Sequence, residues 1–253
     1  MPKGRCKLCL LTKDLQNSHL MPASLYKKTR NPASRNPNPT VITGKGTVQT
    51  SRQITDYVLC KECELRFSQK GEDYVMTQVA TTREFPLLDT LRSVPPTKTA
   101  AGFDWYDEAT VPGVDRDRLV YFSLSVFWRA AAHRWERLSV DPISIDLGLY
   151  EEELRKYLHD ETSLPTNVVS QLVVCTDKLS QDLFYPPSRG RKKEDTTYTF
   201  QACGLNFFMT VGNRIPGTIR QMCLLTGTNK WIVSRSCEEK VKQAADRLGK
   251  SRR

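Results

Sequence analysis

Acidic residues are nearly missing from the first fifty positions, where Asp14 stands alone against nine lysines and arginines. Over all 253 residues the formal charge is +10, an excess that favours a polyanionic partner such as nucleic acid. Histidine is scarce as well: the chain has three, His19, His133 and His159. Long apolar runs are missing. The best one, residues 119–138, is broken by Arg129, His133, Arg134, Glu136 and Arg137, so no membrane span is expected. The opening Met-Pro-Lys-Gly-Arg lacks the apolar core of a secretory signal, and a reducing, cytoplasmic setting is expected. No internal repeat is visible. A hydrophobic fraction of 39% over this length gives room for one large core or two small ones.

What the chain does have is a set of paired cysteines. Cys6 and Cys9 form one C-x-x-C knuckle and Cys60 and Cys63 a second. Two intervening residues let both sulfurs of a knuckle face one point, and two knuckles supply the four thiolates of a structural zinc site. Zinc there would close a loop of about fifty residues and stabilise a small unit otherwise short of core. A four-thiolate site has no open coordination position, so this metal is expected to be structural. The other cysteines, Cys175, Cys203, Cys223 and Cys237, are scattered among apolar or mixed residues and are expected as buried thiols.

The fold expected is α+β. Residues 1–80 form a zinc-binding unit, with strands over 15–20 and 54–59, a short helix opening at 22–26, a loop over 31–48 and a helix from 63 to about 79. Residues 81–118, with four prolines, are a connector. Residues 119–253 form a mixed helical and stranded C-terminal domain. Two apolar stripes make 118–138 the strongest helix, buried on more than one side. Residues 151–158 give a second helix, with acids early and Arg155 and Lys156 late. Strands are expected over 168–178, 196–212 and 230–234, a basic loop over 186–193, and a charged helix from 238. Trp105, Trp128, Trp135 and Trp231 are expected to pack, and His133 and His159 to be structural or surface residues.

Ser18-His19 lies between the knuckles, and Glu64 follows the last cysteine. Cys-x-x-Cys, a strand carrying an X-His pair, then Cys-x-x-Cys-X resembles the HNH or ββα-metal (His-Me finger) nucleases. The likeness is to the subtype with a four-cysteine zinc site, as in resolvases of the endonuclease VII type. Ser18-His-Leu-Met-Pro22 is similar to the Ser-His-Ile-Ile-Pro variant of uncharacterised bacterial HNH-like proteins. Cys60-Lys-Glu-Cys-Glu-Leu-Arg-Phe-Ser68 looks like their Cys-x-x-Cys-Glu-x-x-Phe ending, and Ser125-x-x-Trp-Arg129 looks like a helix of their full-length members. The specific motifs cover about the first third of the chain.

The resemblance implies a treble-clef-like ββα-metal unit and metal-dependent hydrolysis of nucleic acid, with DNA the expected substrate. His19 would be the general base, a role suited to imidazole, whose ordinary pKa lies near neutrality. Glu64, a hard oxygen donor, would help hold a divalent Mg²⁺ or Mn²⁺. Asp56, on the strand entering the second knuckle, is the candidate second ligand, with Glu72 and Asp73 poorer ones because they lie two turns or more along the helix. Ser18 departs from the family pattern, which has Asp or His there. Lys27, Lys28 and Arg30 would grip phosphates without reading sequence. The basic loop around Arg189 is a further phosphate contact or a solvated charge run. The alternative readings are a zinc-stabilised nucleic-acid-binding module that does not cut, and a partner subunit of a bacterial defence system. A homodimer is compatible with either.

Overall fold

A computed structural model of the chain describes residues 1–30, 35–38, 40–43, 46–111, 113–137, 140–190, 196–221, 224, 231–239 and 243. In it the chain is a mixed α+β protein. Strand β1 (Lys3–Arg5) pairs antiparallel with β2 (Thr12–His19). Helix α1 (Ala23–Lys28) follows. β3 (Thr40–Thr43) and β4 (Gly46–Gln49) form a hairpin where a loop is expected. The β-branched Thr-Val-Ile-Thr run explains the difference, because such residues favour the extended backbone. β5 (Thr55–Cys60) returns antiparallel along β2, with Ser18 opposite Asp56 and His19 opposite Thr55.

The helix expected from Cys63 starts at Lys61. α2 (Lys61–Phe67), a wider π-helical turn (Ser68–Glu72) and α3 (Asp73–Gln78) make one continuous path. The π turn carries Gly71 against the long central helix. A Cβ on Gly71 would lie 2.9 Å from the backbone nitrogen of Phe122, so only glycine allows this close approach.

Residues 81–118 contain α4 (Pro86–Arg92), β6 (Lys98–Ala100) and β7 (Phe103–Asp107). The central helix α5 (Arg116–Ala132) is capped by Asp115, whose carboxylate accepts from the Arg118 amide at 3.0 Å. It stops six residues short of the expected end. His133 is extended, and Trp135 belongs to β8 (Trp135–Arg137), paired with β9 (Val140–Ile143). The indole Nε1 of Trp135 donates to the Arg129 carbonyl at 2.8 Å and Ile145 N to that of Ala130 at 3.1 Å, satisfying carbonyls that the ended helix leaves open.

Beyond α6 (Tyr150–Leu158), the chain builds β10 (Val168–Cys175), a short α7 (Lys178–Gln181), β11 (Phe184–Arg189), β12 (Thr196–Ala202), β13 (Leu205–Val211), α8 (Gly217–Gln221) and β14 (Trp231–Arg235). The seven-stranded sheet runs β11-β12-β13-β10-β14-β7-β6, and only the β10–β14 pair is parallel. Residues 186–189 of the expected basic loop thus lie on an edge strand, where prolines are tolerated because one side of the ladder is open. Residues 191–193 of that loop, nearly all of the expected C-terminal helix, and Cys223 lie outside the described residues.

α5 explains why its sequence shows two apolar stripes. On one side Phe122 and Phe127 meet Phe200 of the sheet edge-on, with centroids 5.8 and 4.9 Å apart. On the other, Trp128 meets Phe67 of α2 at 6.0 Å. One buried cluster therefore runs from Cys6 and Leu59 through α5 to Phe207 and Ile232. Trp128 and Trp135 are fully buried, while Trp105 and Trp231 pack against each other half-buried. Cys175, Cys203 and Cys237 are buried as expected. Among the described residues no helix is long and apolar enough to cross a membrane.

Candidate functional site

The four knuckle cysteines come together although fifty residues separate the pairs. Their sulfurs all lie within 4.8 Å of one another, and Cys9 Sγ is 3.8 Å from Cys60 Sγ. Tetrahedral zinc with bonds of about 2.3 Å requires neighbouring sulfurs roughly 3.8 Å apart, so the donor set fits that metal. Local backbone makes the first knuckle. Cys6 N donates to Leu11 O, Leu10 N to Cys6 O, and Leu10 adopts a left-handed φ of 62°. The second knuckle is the strand-to-helix junction of β5 and α2, where the Cys60 amide donates to Cys6 Sγ at 3.4 Å.

The electrostatics of the cluster call for a cation. The Cys63 thiol and neighbouring amides pull Cys6 down to about 4. Burial pushes Cys60 up to about 12. Cys63 is pushed up by its hydrogen bond to Cys6 and by burial. One thiolate forms readily here, and its negative charge opposes the others until a positive ion is present.

Glu64 lies beside this cluster, one residue past Cys63. Its Oε1 is shut off from solvent without a hydrogen-bond partner. Burial raises its proton affinity, while the Arg129 charge, the Ser18 hydroxyl and His19 oppose that rise and Glu72 adds to it. Ser18 is buried, and its Oγ accepts from the Leu59 amide at 3.0 Å. Ser18 and His19 are thus among the groups that act on the Glu64 carboxylate. No family model matches the chain, and no curated protein or solved structure matches it.

Asp56 goes elsewhere. Its Oδ2 lies 2.8 Å from His133 Nε2 and its Oδ1 accepts from the Tyr57 amide at 2.7 Å. Burial would raise this carboxyl, but His133 and that amide hold it below its ordinary value. Glu72, eight residues beyond Glu64, is engaged by the Arg129 guanidinium. Among the described residues the four-cysteine cluster is the one group of three or more His, Cys, Asp or Glu side chains gathered closely enough for a metal.

Lys27, Lys28 and Arg30, at and just beyond the end of α1, line a concavity of about 500 Å³ with Pro37, Thr81 and Thr82. No acidic residue is among the described residues lining it. Three residues, Leu20 to Pro22, join α1 to His19.

Two residues of the helical region reach into this unit, and sequence reasoning assigned neither a role there. Arg155 Nη1 donates to the Leu8 carbonyl inside the first knuckle at 2.9 Å, with Glu152 and Glu161 on its other nitrogens. Arg129 Nη1 donates to the His19 carbonyl at 2.8 Å, and Nη2 pairs with Glu72. The available signal was a charge inside the most apolar helix of the chain, since a fully buried arginine is rare unless paired.

Proposed function

We propose that this chain is an HNH-type, metal-dependent endonuclease acting on nucleic acid, with DNA the expected substrate. The observation that supports the reading is a half-buried Glu64 directly after the four-cysteine cluster, with Ser18 and His19 among the groups acting on its carboxylate. In this reading zinc fills the Cys6, Cys9, Cys60 and Cys63 site and fixes β2 against α2, as in a treble-clef ββα-metal unit. His19 takes a proton from the attacking water. Glu64 offers its unpartnered Oε1 as the protein ligand for Mg²⁺ or Mn²⁺, with waters and substrate phosphate filling the rest of the shell. A divalent ion held there supplies positive charge against the scissile phosphate and the leaving oxygen. Asp56 serves only if it exchanges His133 for the ion. Lys27, Lys28 and Arg30 hold the phosphate backbone in their concavity.

A plasmid-nicking assay in magnesium or manganese tests this reading with wild type, His19→Ala and Glu64→Ala. Nicking by wild type alone, with equal zinc content in all three, supports it. Equal nicking by His19→Ala overturns it.

One observation favours a second reading, a zinc-stapled module that binds nucleic acid without cutting. Serine occupies the position before the base, and its hydroxyl is engaged by the Leu59 amide. That reading predicts salt-sensitive binding with no cleavage in any divalent metal.

A further inference from the structure

Arg129 lies on α5, outside the cysteine unit, and is 1% exposed. A guanidinium this deeply buried is costly unless its charge is paired and its nitrogens find acceptors. Here each of the three nitrogens has one. Nη1 reaches the main-chain oxygen of His19 at 2.8 Å, and Nη2 pairs with Glu72, whose side chain is 19% exposed. Nη2 also reaches Ser125 Oγ, and Nε the Ser125 carbonyl, both at 3.4 Å. The guanidinium carbon lies 5.1 Å from the centre of the Phe67 ring. Its own carbonyl is held by the Trp135 indole, so the helix end that carries it is fixed as well.

This arrangement is more specific than a clasp between two packed elements. His19 is the last residue of β2, and the strand backbone turns away toward α1 immediately after it. On one side the Leu20 amide donates to the Ile54 carbonyl at 3.0 Å. On the other, the His19 carbonyl is available to a donor from α5, and Arg129 supplies it. The same group sits on Glu72 at the end of the π turn and is the leading opposite charge acting on Glu64. One planar fork therefore fixes the backbone of the candidate base relative to the helix that carries the candidate ligand.

We infer that Arg129 is a positioning residue for the His19–Glu64 centre. The inference rests on the nuclease reading for its catalytic meaning, but the placement of His19 can be measured without catalysis. Lysine keeps the charge but has one ammonium in place of the fork, so it cannot hold the His19 carbonyl and Glu72 in the same geometry. Misplacement of a reacting group by about 1 Å can cost on the order of 100-fold in rate.

The test uses the full chain with zinc bound, as wild type, Arg129→Lys and Glu72→Gln. Two quantities are read at a temperature where all are folded: kcat and KM for plasmid nicking, and the His19 imidazole resonances by NMR. A positioning role predicts that kcat falls about 10- to 100-fold in Arg129→Lys with KM and zinc content little changed, and that the His19 resonances move. Glu72→Gln, which loosens the guanidinium without removing it, shows a smaller change of the same kind. A purely packing role predicts a lowered melting temperature with kcat and the His19 resonances unchanged, and that result overturns the inference. If wild type does not nick, the nuclease reading fails by itself. The inference then stands or falls on whether the His19 resonances move. If Arg129→Lys does not fold, Glu72→Gln is judged by the same two readouts.

Discussion

Replacing Cys60 by serine should cost the protein most of the stability that metal closure gives. Cys9 and Cys60 are 51 residues apart, and their sulfurs meet at 3.8 Å. In the chain-entropy treatment of a cross-link, closing a loop of that length removes about 4 kcal/mol of freedom from the unfolded chain. A bound zinc would play the part of the cross-link, because all four thiolates would hold the same ion. For a chain of this size, each kcal/mol moves the melting temperature by roughly 2–4 °C. Cys60→Ser should therefore melt about 10 °C or more below wild type, and a strong chelator should bring wild type down toward the variant. Metal analysis should find one zinc per wild-type chain. A wild type that carries no metal, or a Cys60→Ser variant and chelated wild type that melt with untreated wild type, would refute metal closure.

Three other outcomes follow from the same geometry. Glu64→Gln should stabilise the protein at pH 7 by about 1 kcal/mol, since it removes a charge whose Oε1 has no partner. Burial raises the Glu64 pKa in the folded state, so the wild type loses stability as pH rises from the ordinary carboxylate range through the raised value; the advantage of glutamine should vanish in acid, as paired thermal melts would show. Gly71→Ala should lose about 1–3 kcal/mol in denaturant melts, because its Cβ would press on the Phe122 backbone 2.9 Å away. Changing Lys27, Lys28 and Arg30 together to glutamine should weaken nucleic-acid binding and flatten the plot of log affinity against log salt by about three, one for each lost phosphate contact.

Much of this organisation is legible in the sequence, for identifiable reasons. The C-x-x-C spacing is a local property with one common structural use, and the cysteines do meet. The strand carrying His19 and the strand entering the second knuckle are short β-prone runs beside strong punctuation, and both form. α5 is foreseen because its apolar stripes repeat at helical spacing, but its end is not. Trp135 continues the stripe in sequence while the chain has already turned, and the indole caps the helix from a neighbouring strand. The hairpin at 40–49 lies in a stretch rich in Asn, Pro and Thr, where composition favours a loop. Strand order in the large sheet is not legible at all, since β7 joins β14 across more than a hundred residues.

The candidate site divides in the same way. His19 and Glu64 are marked in sequence by their places between and just after the cysteine knuckles. The engagement of Asp56 by His133, and of the His19 carbonyl by Arg129, spans 77 and 110 residues. No local pattern encodes such pairs. What the sequence offers is only their oddity: an arginine in an apolar helix and a histidine at its end.

The most direct test of the central claim is chemical rescue of the base. In a magnesium-dependent plasmid-nicking assay, His19→Ala is compared with wild type, with and without added imidazole. The account predicts that His19→Ala keeps its zinc, loses nicking, and recovers part of it when free imidazole supplies the missing proton acceptor. Nicking by His19→Ala at the wild-type rate without imidazole would contradict it.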